Sequence, residues 1–322
     1  MSRTLTVLLC FLAVPAFAQR PARIAPPTNL VTVAIPGVVA AGTPIELVKG
    51  DFPRTEGPVA MSDGGILFTG TDNIVRIDAA GAISTFVERS NGANAVSFDR
   101  RGRLIAVERA ANNEKVGVLY PPGQEATLAD NYQGKPFNRL NDLVVTSTGG
   151  VYFSDTAGLY YLAPSGGAPV KVVGDVKNPN GIILSPDEKT AYVNDKDGLF
   201  LLAYDVRPDG TLTNKRNFAR YKSLTDTASK DPLIAEDNGA DGIAVDNDGR
   251  VYVATNVGVE VFSPKGDYLG AIPAVWGGDQ FMLRKPQNLA FAGPDKKTLF
   301  IVGSGAVYKV RMLAAGIPSR AK

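Results

Sequence analysis

The 322-residue chain has no histidine and a single cysteine, Cys10. Without histidine there is no Ser-His-Asp or Cys-His triad, no HExxH zinc site and no imidazole acid or base. Any hydrolytic chemistry must run on carboxylates, amides, Lys, Tyr or a hard metal held by oxygen. Long apolar runs are scarce too: the one from Leu5 to Val14 is too short to span a bilayer. Charge of one sign is also missing. The 34 Lys and Arg against 32 Asp and Glu leave a net charge of +2. With no basic block, there is no electrostatic footprint for nucleic acid or a membrane surface. The remaining composition, 44% apolar and 20% charged, is that of an ordinary globular protein.

What is present begins with an address. Residues 1–18 combine Arg3, the short apolar run and Ala16-Phe17-Ala18, the layout of a secretory signal peptide cleaved after Ala18. The competing reading is a buried N-terminal strand. Cleavage would remove the lone cysteine. An exported chain with neither thiol nor disulfide suits the periplasm or the exterior, where calcium is also available. Residues 19–45, rich in Pro, Ala and Thr, are expected to form an N-terminal arm, 46–312 the folded domain and 313–322 a C-terminal tail.

The folded part is a repeat. One unit recurs: a polar residue, a few small or aliphatic residues, a turn with Asp or Gly, then a β-branched or aromatic strand. It starts at Glu56, Asn94, Asn141, Asn180, Asp241 and Asn288, at spacings of 38, 47, 39, 61 and 47. Each copy reads as strand, hairpin turn, strand, with further strands after it, such as Gly258-Val-Glu-Val-Phe. Six such units predict an all-β fold, a six-bladed β-propeller. Asp246-Asn247-Asp248-Gly249 looks superficially like a calcium loop, but it lacks EF-hand spacing and falls where the other units turn, so it reads as a turn.

The innermost strand of each propeller blade runs along a central channel, so residues in one register form a ring. Here the ring holds two carboxylates and four carboxamides and nothing apolar. Converging side-chain oxygens suit a hard cation such as Ca²⁺, which takes six to eight oxygens at roughly 2.3–2.6 Å. The fold is therefore expected to have a central metal-binding channel, its site built from a subset of the ring. The plain alternative is that Asn and Asp cap backbone groups at strand entries.

These residues carry a resemblance. Thr55-Glu56-Gly57-Pro58-Val59, Asn138-Arg139-Leu140-Asn141-Asp142, Pro179-Asn180-Gly181, Ala240-Asp241-Gly242-Ile243 and the segment from Asn288 occur in order at blade spacing. In this the chain, from about Glu46 to Arg311, resembles the senescence-marker-protein-30/gluconolactonase/LRE-like family of propeller lactonases. The resemblance implies metal ligation by Glu56, Asn180 and Asp241, with Asn141 in or near the metal shell and Arg139 on the substrate. It implies Ca²⁺ or another divalent cation (Zn²⁺, Mn²⁺ or Mg²⁺) and a small lactone substrate. Asp241 is the first candidate for the base, with Glu56 or water held by the cation as alternatives. Arg139 would hold a substrate hydroxyl, carboxylate or developing oxyanion, and Asn141 would orient a ring hydroxyl or the water.

The chain departs from the family in blade two, where Glu108-Arg109 stands in place of a usual His, and in a longer polar stretch around 222–238. Two other readings stay open: a calcium-dependent esterase or phosphotriesterase resembling the diisopropyl-fluorophosphatase type, and a non-catalytic ligand-binding propeller. Asp155 and Asp195 are expected at turns or in an outer shell. Trp276, Phe281, Tyr132 and Phe137 are expected in a sugar-facing wall or between blades. A monomer or weak dimer is expected.

Overall fold

The computed structural model describes residues 30–222, 239–273 and 286–320, and the backbone of 275–277 and 282–284. The expected signal peptide, the 223–238 stretch, Phe281 and the Trp276 side chain lie outside these residues. Among the described residues all helix and strand structure is β. Six antiparallel sheets, of four strands in five cases and five in the sixth, follow one another along the chain. Their first strands are Glu56–Ala60, Ala95–Phe98, Leu143–Val145, Pro179–Leu184, Ile243–Val245 and Asn288–Ala292. Each of these touches the first strand of the next sheet, and the sixth touches the first, so they form a closed ring around an axis. This is the six-bladed propeller the repeat predicts.

Burial explains the pattern of residue types. Inner and second strands are covered on both faces by neighbouring blades, so Glu56–Ala60 and Val151–Asp155 are buried throughout. Outermost strands meet water, and Ile83–Val87 is mostly exposed. The apolar clusters lie between blades: Tyr152 of blade three packs with Ile182 and Tyr192 of blade four, and Phe68 of blade one with Phe300 of blade six. Phe137 and Tyr132 belong to the same packing, since Phe137 meets Phe153 and Tyr160, and Tyr132 meets Tyr160.

Both ends of the domain close blade six. Its outer strand, Pro44–Lys49, pairs antiparallel with Ala306–Arg311, placing Ile45 opposite Val310. Leu30–Val31 adds a fifth strand beyond it. Past Arg311 the chain runs across the face that carries the hairpin turns. Asn247 N donates to Ala315 O at 2.8 Å, and Arg320 donates to Leu184 O at 3.0 Å and Ser185 O at 2.6 Å. The segment thereby ties blades six, five and four together at the far ends of the inner strands.

The turns behave as their residues require. Asp246 Oδ1 accepts from Asp248 N at 3.0 Å and Arg250 N at 2.9 Å, while Oδ2 takes Arg250 and Tyr252, so Asp246-Asn247-Asp248-Gly249 is a hairpin turn. Asp155 likewise closes a turn by accepting from Ala157 N at 2.7 Å and Gly158 N at 3.1 Å. Asp195 accepts from Asp197 N at 3.2 Å in the same way.

Candidate active site

In blades two, three and five the leading polar residue is tethered to the second strand of its own blade. Asn94 N donates to Val107 O at 2.8 Å, Asn141 N to Ser154 O at 2.8 Å and Asp241 N to Ala254 O at 3.0 Å. In blades one and four the ladder breaks at the leading residue. The register jumps between Glu56 and Val59, and between Pro179 and Ile182. A bulge of this kind re-aims a side chain.

The result is a cavity of about 340 Å³ at the strand-entry end of the channel. Glu56, Asn94, Asn141, Asn180 and Asp241 all line it, as does Arg139. Every residue expected at the site from the sequence is therefore brought to one place. Asn288, the sixth of the ring, sits behind Glu56 and donates Nδ2 to Glu56 Oε2 at 3.3 Å.

The ring members differ in what they have left to offer. Glu56 is 4% exposed, and its Oε2 also accepts from Gly57 N at 2.7 Å. Oε1 takes no hydrogen bond from a described residue. Burial pushes the Glu56 carboxyl above its ordinary range. The Gly57 N–H works against that rise, Asp142 adds to it, and Arg54 and Asn288 oppose it. Asn180, 6% exposed, uses its backbone carbonyl to accept from Ser154 Oγ at 2.7 Å, while its side chain bonds no described group. The backbone carbonyl of Asp241 accepts from Asn194 Nδ2, and Asn194 Oδ1 accepts from the buried Tyr221 hydroxyl at 2.6 Å.

Asn94 is different. Its Oδ1 accepts from both Arg54 and Arg109, and its Nδ2 donates to Asn141 O at 2.7 Å and Asn141 Oδ1 at 2.9 Å. It is an anchor for arginines rather than a free donor oxygen.

The remaining set, Glu56, Asn180 and Asp241 with Asn141 beside them, is made of oxygen donors on three sides of the axis. A buried carboxylate with one unbonded oxygen, facing a cavity with a second carboxylate and the unbonded Asn180 amide, fits a hard divalent cation. Among the described residues no three His, Cys, Asp or Glu side chains converge on one point, so such an ion depends on amide oxygens.

Sequence reasoning missed part of the lining. Arg54, Arg109, Lys196 and Gln287 also face the cavity. Arg54 stands two residues before Glu56, where no repeat pattern marks it. Arg109 was noticed only as a departure from the family. Arg139 is exposed and has a φ of 54°, a left-handed conformation that a non-glycine residue adopts infrequently.

Residues 54–305 match the family described as the SMP-30/Gluconolactonase/LRE-like region. A gluconolactonase of Zymomonas mobilis is 27% identical over 317 residues, which cover 87% of this chain and 84% of that protein. A gluconolactonase from Xanthomonas campestris is similar in structure, with 24% identity, a TM-score of 0.71, and 92% of this chain and 98% of that one covered. A calcium-binding regucalcin from Agrobacterium tumefaciens is also similar, with 17% identity, a TM-score of 0.66, and 85% and 95% covered. At those identities the structural likeness speaks for the fold. The family match spans most of the sequence and includes every leading residue of the ring, so the chain belongs to the SMP-30/gluconolactonase/LRE-like family.

Proposed function

We propose that this protein is a lactonase: an exported hydrolase that opens a sugar or aldono-lactone in the channel cavity, with a divalent cation, calcium by preference, held by Glu56, Asn180 and Asp241 next to Asn141. The observation that carries the reading is the convergence of these four side chains on one 340 Å³ cavity, with a buried Glu56 whose Oε1 is unbonded. The gluconolactonase from Zymomonas mobilis supports the reaction class. Export rests on the composition of residues 1–18 alone.

A bound cation supplies polarisation of the ester carbonyl. The chain's own groups do the rest. Asp241 takes the proton of the attacking water, Asn141 orients that water or a ring hydroxyl, and Arg139 donates to the developing oxyanion. The water oxygen bonds to the carbonyl carbon, the ring C–O bond breaks, and the proton ends on the ring oxygen, giving the hydroxy acid. A lactone is an activated ester, so a base as weak as an aspartate suffices.

The test is hydrolysis of D-glucono-1,5-lactone followed as acid release, with the spontaneous rate subtracted. The expected result is activity lost to EDTA, restored by Ca²⁺, and lower by at least roughly 10²-fold in Asp241→Ala. No rate above background with cation present would overturn the proposal.

A further inference from the structure

Three guanidinium groups face the cavity without a carboxylate partner. Arg54, Arg109 and Arg139 all line it, and none forms an ion pair with a described residue. On the outer strands and turns, by contrast, Arg76, Arg103, Arg216, Arg250 and Arg311 each have an aspartate.

The hydrogen bonds that hold Arg54 and Arg109 are all to neutral acceptors. Arg54 NH1 donates to Ala93 O at 3.0 Å and Gly70 O at 3.4 Å, Arg109 Nε donates to Leu140 O, and both side chains donate to the same Oδ1 of Asn94. The NH2 group of Arg109 and the whole Arg139 guanidinium bond no described residue. Burial lowers the Arg109 pKa to about 10. Repulsion from Arg54 and Arg139 adds to the effect, while Glu56 and Glu114 oppose it. Neutral donors could clip blade two to blade three equally well. Two like charges on one amide oxygen are a cost to folding, and such a cost is retained where a ligand supplies the missing countercharge. Lys196 adds a cation to the same lining. With a divalent cation at Glu56 and Asp241, the two carboxylates are neutralised and the cavity is left strongly positive.

We propose that the physiological substrate is itself an anion: a lactone carrying a free carboxylate, which docks on Arg54 and Arg109 while its ester lies toward Arg139, Glu56 and Asp241. Guanidinium forks match carboxylate geometry and bind it by charge-assisted hydrogen bonds. The proposal rests on the lactonase reading and narrows it to lactones of sugar diacids, in preference to neutral aldono-lactones.

The experiment compares a matched pair, D-glucaro-1,4-lactone and D-glucono-1,4-lactone, which differ by a carboxylate against a hydroxymethyl group. For the wild-type protein kcat/KM is expected to favour the carboxylated lactone by about tenfold or more, ~1.4 kcal/mol per decade. Rising ionic strength should erode that preference. Arg54→Gln and Arg109→Gln should bring the ratio close to one, while Arg109→Lys, which keeps the charge, should retain most of it. Equal turnover of the two lactones, or an unchanged ratio in both glutamine variants, would overturn the proposal. If a variant does not fold, the salt dependence of the wild-type ratio decides alone. If the wild-type protein opens neither lactone, calorimetric binding of the same pair separates the two readings. Tighter binding of the glucarolactone that weakens with salt keeps the anion site while the lactonase reading falls, and equal binding removes both.

Discussion

Glu56, Asn180 and Asp241 are each followed by glycine, and the structure shows what each glycine makes room for. A Cβ on Gly57 would lie 2.4 Å from Ala95 Cα, one on Gly181 would lie 2.3 Å from Asp241 O, and one on Gly242 would lie 2.1 Å from Asn288 Cγ. In blades one, four and five the backbone presses against the start of the next blade's inner strand, so the glycine sets the spacing of the ring there. Gly57 also has a φ of +47°, which disfavours any side chain. Gly57→Ala should cost about 2–4 kcal/mol of stability and shift Glu56, read as a lower melting temperature together with lower kcat/KM. A second residue-scale prediction concerns pH. Glu108 is 2% exposed, accepts from Asn91 Nδ2 at 2.8 Å and lies 3.6 Å from Lys115 Nζ. Burial raises its pKa, and neither Asn91 nor Lys115 fully offsets this. For an acid whose pKa is raised on folding, stability is fully present below the unfolded value near 4.5 and is lost as pH rises through the folded value. Glu108→Gln should therefore lose less stability than the wild type between pH 4.5 and neutrality, in melting temperatures recorded across pH.

At the scale of the element, two pieces of irregular chain decide the architecture. The strand Pro44–Lys49 is separated by most of the sequence from Ala306–Arg311, its partner, yet it closes blade six and buries Ile45 to 2% exposure. A chain beginning at residue 50 should lose cooperative unfolding, because the inter-blade apolar clusters would open along one seam. A thermal melt followed by circular dichroism checks this, and a sharp transition at the wild-type temperature would contradict it. The bulges at Glu56 and Asn180 are the second piece. They coincide with two of the three proposed ligands, and the first strands of the other four blades pair with their second strands without a register shift.

For the whole molecule, the proposed ligands come from blades one, four and five, and a cation shared by them would link the propeller across its axis. Binding to the folded form alone stabilises by about 2.7 kcal/mol at a hundredfold excess over Kd. The melting temperature should therefore climb with Ca²⁺ concentration, and Glu56→Gln should abolish most of the climb, in calorimetric scans with and without EDTA. A melting temperature indifferent to calcium would place the ion elsewhere.

Much of this was legible in the sequence. Hairpin turns, strand alternation and a repeated polar leading position are local patterns, and the propeller follows because six similar units can bury their faces only against one another. The same register brings Glu56, Asn141, Asn180 and Asp241 to one cavity. The division of labour within the ring was not legible. Asn94 and Asn180 are the same residue type in the same register. Asn94 is occupied because Arg54 of the segment before blade one and Arg109 of blade two both reach it, whereas the Asn180 side chain remains free of described partners. That difference depends on side chains far apart in sequence meeting at the channel mouth, and no local spacing encodes it. The sequence determines which residues stand at the channel mouth; tertiary packing alone decides which of them keep an oxygen available and where three arginines without an ion pair to a described residue gather.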